Sequence, residues 1–140
     1  MATDGNYVQG VGMGFRGARE GGDGMIIISK NEPCNTESFD FTGDVQTVAF
    51  PPEATEAIIR VWGAGGAGRD GHSYDNYNGG SGGYVEQRIP VTPGLQFTLV
   101  VGAGGKQGTD NGGDGGWPNG GYGTKGDASG PGGGGLTGVF

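Results

Sequence analysis

The chain has 140 residues, of which 37 are glycine and 32% are hydrophobic, so it has room for one domain whose core is either small or completed by neighbouring molecules. The net charge of −7 and the scattered Lys and Arg residues argue against nucleic-acid binding. The single cysteine excludes an intrachain disulfide, and no apolar run approaches the ~20 residues of a membrane span.

Residues 1–37 are predicted to form an extended glycine-rich arm with one short strand at 25–29. The arm has no helical period and no obvious core of its own. We expect it to dock on a neighbouring subunit or partner protein by adding backbone hydrogen bonds at a sheet edge, and a disordered tail is the alternative. The apolar residues that would carry this docking are Tyr7, Val8, Val11, Met13 and Phe15.

Residues 38–140 are predicted to form one glycine-rich β domain. Alternation of apolar and polar residues predicts strands from Ser38 and at 45–50, 56–62, 83–91 and 95–101, with Pro and Gly at the turns between them. Segment 30–37 is predicted to be a connector because Pro33 interrupts it. No window has a helical period, so the predicted fold class is all-β, with a small antiparallel β-sandwich or jelly-roll-like core.

Two predicted strands run directly into the sequence G-A-G-G, which begins at Gly63 and again at Gly102. Gly63, Gly65 and Gly68 also spell the G-x-G-x-x-G fingerprint of dinucleotide-binding proteins. That fingerprint needs a helix directly after the glycines. The residues that follow, RDGHSYDNYNGGSGG, have too much glycine and no apolar stripe. We therefore predict that this motif binds no nucleotide and that the chain uses no cofactor.

Six glycine tracts extend from the predicted β core. Chains without Cβ atoms adopt an extended helix with three residues per turn, and several such helices can bond to one another side by side. Glycines at 120, 123 and 126 have this period. We expect packed polyglycine II helices in which Val at Gly123 or Gly133 is destabilising, and flexible linker loops are the alternative. The tracts are 63–71, 78–83, 102–105, 112–116, 120–126 and 130–135.

Aromatic residues in the glycine tracts are the candidate recognition surface. Aromatic side chains among small residues are typical of paratopes, although they also serve as wedges within a glycine bundle. His72 is the only histidine, and the aspartates among the glycines lack the nine-residue period of calcium-binding repeats. We therefore predict no catalytic residue and no metal site. The candidate recognition residues are Tyr74, Tyr77, Trp117 and Tyr122.

The order of motifs from Phe39 to Phe140, VWGAGG…GGYV…VTPG…VVGAGG…GGGG, resembles the glycine-rich β domain of phage tail-fibre proteins and other viral structural proteins. A similar domain lies outside the membrane in the anaplastic lymphoma kinase receptor, although the cysteines of that form are missing here. The resemblance implies a β-sandwich or jelly-roll core with packed polyglycine helices. A further strand usually follows the GGGGLTGVF-like stretch in that family, so we expect the last strand to be short or completed by a partner.

The resemblance also implies a structural or binding role without catalysis. We expect a non-enzymatic virion protein, made in the host cytoplasm, that belongs to a tail fibre, spike or capsid appendage and acts in assembly or host attachment. Its expected partners are other virion proteins, further copies of the chain and a host surface receptor, with no nucleic acid and no membrane insertion. The alternative is an extracellular glycine-rich binding module.

Overall fold

The computed structural model of the protein describes residues 8–14, 19–68, 78–108, 112–124 and 130–140. These residues form seven β-strands and no helix. None of them lies in a helix of the length and apolar character that a membrane crossing would need. The strands are β1 (Met25–Lys30), β2 (Asn35–Phe39), β3 (Gln46–Ala49), β4 (Glu56–Trp62), β5 (Tyr84–Pro90), β6 (Gln96–Val100) and β7 (Gly138–Val139).

The strands form two antiparallel sheets that pack as a small β-sandwich, which confirms the predicted fold class. One sheet has the order β2-β1-β4-β5, and the other has the order β3-β6-β7. The buried core lies between them, because alternate residues of each strand point inwards. Its members are Ile26, Ile28, Val48, Phe50, Ala54, Ala57, Ile59, Val91, Leu99 and Val101.

The alternation predicted for β4 is confirmed. Ala57 and Ile59 belong to the core, whereas Ile58 and Arg60 are half-buried on the opposite face of the sheet. Trp62 shares the outer face but is buried, since its ring packs against Tyr84 of β5 with centroids 5.0 Å apart.

Lys30 connects the two sheets at one end of the core and is only 8% exposed. Its Nζ donates to the carbonyl oxygen of Ala49 on β3 over 3.0 Å and lies 2.7 Å from Oε2 of Glu37 on β2. The same ammonium lies 5.4 Å from the ring centroid of Phe50. The buried charge is therefore compensated by a carboxylate, a carbonyl and an aromatic face.

β2 differs from the prediction, whereas β7, with two residues, agrees with the expectation that the last strand is short. β2 begins at Asn35, inside the predicted connector, because its residues pair with β1 although their own pattern is largely polar. β7 lies in the last glycine-rich stretch and pairs Val139 with Leu99. The boundary predicted between residues 37 and 38 falls inside β2. Since β1 contributes Ile26 and Ile28 to the core, segment 25–39 packs with the predicted domain as one unit.

The described glycine tracts bond to one another through their backbones at intervals of three residues. Tract 63–68 shows the pattern. Residues three positions apart in this tract bond to the same neighbouring segment, and the different sides of the tract face different segments. A chain that turns once in three residues has the geometry of polyglycine II, as predicted. We call the assembled tracts the glycine bundle. The donor–acceptor pairs of this tract are Gly63–Gly83, Gly66–Gly80, Gly65–Gly22, Gly68–Arg19 and Ala67–Gly132, at 2.8–3.0 Å.

Close approach of backbones explains why many positions in the glycine bundle must be glycine. A Cβ added at Gly123 would overlap the carbonyl oxygen of Gly130. A Cβ added at Gly133 would lie 3.4 Å from the nitrogen of Gly121, which is ordinary contact. The expectation that both positions exclude a side chain therefore holds at Gly123, whereas the Cβ itself fits at Gly133.

The described parts of the N-terminal arm, 8–14 and 19–24, belong to the glycine bundle. Gly21 and Gly24 donate to the carbonyl oxygens of Gly105 and Gly102, each over 2.9 Å. This part of the arm therefore packs on its own chain. Of the residues predicted for docking, Val8, Val11 and Met13 are half-buried, and Tyr7 and Phe15 lie outside the described residues.

Candidate functional site

Trp117 lies in a turn that the glycine bundle holds in place. The carbonyl oxygen of Trp117 accepts from the nitrogen of Ala103 over 2.7 Å, and that of Pro118 accepts from Leu136 over 2.9 Å. Asn119 has a φ of 61°, a left-handed conformation that asparagine tolerates better than most residues. The position of Trp117 is thus fixed by bonds to two neighbouring tracts.

Trp117 is 39% exposed, and its indole ring packs against Phe41, whose ring centroid is 6.3 Å away at an interplanar angle of 51°. Phe41 in turn packs against the sandwich core. Phe41 therefore covers part of the indole ring, and the exposed part is available to a ligand.

A cleft of about 530 Å³ opens beside this ring, and we call it the Trp117 cleft. Its volume is in the range of small-ligand sites. Nζ of Lys106 lies 2.9 Å from Oε2 of Glu20, and Oδ1 of Asp23 accepts from the nitrogen of Gly104 over 2.8 Å. The cleft is lined by Glu20, Gly21, Gly22, Asp23, Phe41, Ala103, Lys106, Asp114, Gly115, Gly116 and Trp117.

The Trp117 cleft combines an aromatic wall with charged side chains and the backbone of glycine residues. An aromatic wall favours the apolar face of a ligand, and carboxylates with a lysine favour hydroxyl, amide or charged groups on its other face. The arrangement therefore suits binding of a polar ligand. No three His, Cys, Asp or Glu side chains in the described ranges lie close enough together to hold a metal ion.

The structure separates the predicted recognition residues. Trp117 lines the cleft, whereas Tyr122 is 83% exposed and lies outside the cleft lining. Tyr74 and Tyr77 lie outside the described residues. The sequence offers no signal that Glu20 and Lys106 meet beside Trp117, because their meeting depends on how the glycine tracts pack.

A second, apolar cleft of about 410 Å³ opens between the sheets where β5 and β7 form their edges. The side chain of Val85 in this cleft is 61% exposed. The cleft exists because β7 is short and leaves the inner face of β5 partly uncovered. Its lining residues are Ile59, Val61, Val85, Gln87, Ile89, Phe97, Thr137 and Val139.

The outer face of β4 and β5 carries two ion pairs. Nε of Arg60 lies 2.7 Å from Oε2 of Glu86, and a terminal nitrogen of Arg88 lies 2.7 Å from Oε1 of Glu56. The hydroxyl of Tyr84 also donates to Glu86, over 3.0 Å. The bonds from Tyr84 and Arg60 hold the pKa of Glu86 below its usual value, while burial and the bond to Glu86 raise the pKa of Tyr84.

Comparison with known families matches residues 40–139 to the model of a glycine-rich domain. The matched region covers β3 to β7 and all the glycine tracts that follow β4. No curated protein and no solved structure matches the chain.

Proposed function

Because the chain belongs to the glycine-rich domain family, we propose that it is a non-enzymatic structural protein of a virion. In this proposal it is part of a tail fibre, spike or capsid appendage and acts in assembly or host attachment. The observation that carries the proposal is the position of the Trp117 cleft on the hydrogen-bonded glycine bundle.

A cleft of this kind suits attachment because the scaffold holds its walls in position. The turn at Trp117 is bonded to Ala103, and the tract that contains Ala103 is bonded in turn to the N-terminal arm. Because these hydrogen bonds hold the backbone in place, the binding residues lose little conformational entropy when a ligand binds, which favours affinity. The proposed ligand is a polar group of a host surface receptor.

The proposed partners also include other virion proteins and further copies of the chain. The fraction of hydrophobic residues is small for a chain of 140 residues. Association between subunits buries apolar surface that folding leaves exposed. The exposed apolar side chains of Val85, Leu136 and Phe140 are consistent with such contacts.

Two experiments test the proposal. Electron microscopy of the native particle should locate the chain in an external appendage in several copies, and its absence from particles would contradict the virion role. Particles that carry Trp117→Ala should attach to host cells on the order of 10- to 100-fold less well, as expected for loss of an aromatic hot spot. Tyr122→Ala, outside the cleft, is the matched control and should attach normally.

The alternative is an extracellular glycine-rich binding module, for which the Trp117 cleft would serve as the binding site without any particle. The two proposals differ in where the chain is found. Ligand binding that depends on Trp117, in a chain never found in particles, would favour the alternative.

A further inference from the structure

β5 is an edge strand with seven residues, and no strand of the described part of the chain pairs with its outer side. The nitrogen of Gly63 donates to Gly83, and the nitrogen of Val91 donates to Thr55. Hydrogen-bonded pairs alternate in an antiparallel ladder, so the odd-numbered residues of β5 bond to β4. The peptide groups of Tyr84, Glu86 and Arg88 therefore point to the free edge.

We propose that two copies of the chain pair through β5, antiparallel, with Gln87 of each copy at a twofold axis. Glu86 then lies opposite Arg88 of the second copy, and Val85 lies opposite Ile89 of the second copy. The interface joins the two four-stranded sheets into one sheet of eight strands. It is isologous, because the same strand of each copy supplies both sides.

Charge selects this register. The peptide groups that face the edge belong to even-numbered residues, so the twofold axis can pass through an even position or midway between hydrogen-bonded pairs. An axis at residue 86 or 88 would set Glu86 against Glu86 or Arg88 against Arg88, and like charges directly opposite are destabilising. An axis at Gln87 instead pairs each glutamate with an arginine.

The backbone ladder is also complete in this register. Glu86 and Arg88 of the two copies exchange both of their hydrogen bonds. Tyr84 donates its N–H to the carbonyl oxygen of Pro90 of the second copy. Pro90 has no N–H to donate, so the ladder between the two copies ends at Pro90 of each copy.

The inner face of β5 adds apolar contact. Val85 is 61% exposed at the mouth of the apolar cleft, and Ile89 lines the same cleft. Pairing places the Ile89 side chain of the second copy beside Val85, which removes apolar surface from water. An unpaired edge with an exposed apolar residue is a site that folded proteins cover or protect.

The outer face extends the ion pairs across the axis. Arg60 pairs with Glu86, and Arg88 pairs with Glu56, within one copy. In the dimer, Arg88 of the second copy lies on the free side of Glu86, so positive and negative side chains alternate across the joined sheet. This inference rests on the proposed multi-copy role and names a second copy as the partner at β5.

Proline substitutions at the two sheet edges test the interface. Arg88→Pro removes an N–H that faces the free edge of β5 and leaves the ladder to β4 intact. Ser38→Pro is the matched control, because Ser38 lies on the other edge strand, β2, and by the same alternation directs its N–H away from β1. Sedimentation equilibrium should give twice the 14.0 kDa chain mass for the wild type and Ser38→Pro, and one chain mass for Arg88→Pro.

A cross-link tests the register. Opposed residues of a non-hydrogen-bonded antiparallel pair have Cα atoms about 4.5 Å apart, within the range that a disulfide spans. Gln87→Cys in a Cys34→Ser background should therefore become disulfide-linked in most chains on mild oxidation. Ser38→Cys in the same background should show few disulfide-linked chains on non-reducing denaturing electrophoresis.

A wild-type chain that stays monomeric at its highest soluble concentration would overturn the interface. So would a dimer that Arg88→Pro leaves intact, provided that circular dichroism shows the variant to be folded. The location of the chain in particles is measured separately, by imaging. A monomer found in particles would refute only the β5 interface, and a dimer absent from particles would refute only the virion role.

Discussion

Arg60 and Glu86 lie directly opposite each other on β4 and β5, and Nε of Arg60 donates to Oε2 of Glu86 over 2.7 Å. The Tyr84 hydroxyl donates to the same oxygen over 3.0 Å and is the largest cause of the lowered pKa of Glu86. Charge-assisted hydrogen bonds of this kind favour the ionised carboxylate. The relationship leads to a prediction about pH.

Tyr84→Phe should raise the pKa of Glu86 towards the ordinary glutamate value of about 4.3, because the carboxylate loses the hydrogen bond that contributes most to the lowering of its pKa. The measurement is a titration of the Glu86 side-chain carboxyl carbon by NMR. Tyr122→Phe is the control, since that tyrosine lies elsewhere on the glycine bundle. An unchanged pKa of Glu86 in Tyr84→Phe would show that the hydroxyl does not bond to the carboxylate in solution.

The lowered pKa of Glu86 also determines how the stability of the protein depends on pH. The pKa of Glu86 is lower in the folded chain than in the unfolded chain, so its contribution to stability is present above the unfolded pKa. That contribution is lost as the pH falls through the folded pKa. Glu86→Gln should therefore make the melting temperature less dependent on pH below about 4.3, the ordinary glutamate pKa.

Substitution by alanine should separate glycines that are packed from glycines that are open. A Cβ at Gly123 overlaps the Gly130 carbonyl oxygen, so Gly123→Ala should cost about 1–3 kcal/mol or more of unfolding free energy. A Cβ at Gly121 meets nothing within 4 Å, so Gly121→Ala should be neutral or slightly stabilising. Thermal unfolding of both variants measures the difference.

Gly133→Ala extends this comparison within the same glycine bundle. Its Cβ would lie 3.4 Å from the Gly121 nitrogen, which is ordinary contact, so the variant should melt near the wild-type temperature. Equal losses at Gly121, Gly123 and Gly133 would mean that glycine is needed for conformational reasons alone, and equal tolerance would mean that the tracts are flexible linkers.

The sequence predicts the long strands because their period of two appears in the side chains themselves, as in β4. β2 and β7 are set by their partners: Asn35 is polar and pairs with Lys30, and Gly138 has no side chain to show a period. The packing of the glycine tracts likewise cannot be predicted from the identities of single residues. Period three identifies the helix type, but which tract bonds to which is a tertiary property. Trp117 was therefore predictable as a candidate, whereas its neighbour Lys106 was not.

Lys30→Met should destabilise the sandwich by about 1.5–3 kcal/mol, because the Ala49 carbonyl loses a charged donor at the boundary of the two sheets. Lys106→Met is the matched control. Lys106 also pairs with a glutamate, but both partners are more than half exposed, so its loss should cost at most about 1 kcal/mol. Urea unfolding of the two variants measures the difference, and equal losses would contradict a special role for Lys30.

The N-terminal arm provides the last prediction. The sequence alone predicts that a chain without residues 1–24 folds but no longer assembles. In the structure, Oδ1 of Asp23 accepts from the buried Gly104 nitrogen over 2.8 Å, and Gly21 and Gly24 bond to the same tract. Asp23→Ala should therefore cost about 1–3 kcal/mol, since a buried N–H loses its partner, and truncation of residues 1–24 should cost more.

Asp23→Asn is the conservative variant for this test. Its amide oxygen still accepts from Gly104, so it should recover most of the stability that Asp23→Ala loses. Hydrogen exchange at the Gly104 amide gives a local readout, with faster exchange expected in Asp23→Ala and near wild-type exchange in Asp23→Asn. A truncated chain that melts at the wild-type temperature would show that the arm packs on its own chain too weakly to matter, and would return it to the role of a docking segment for a partner.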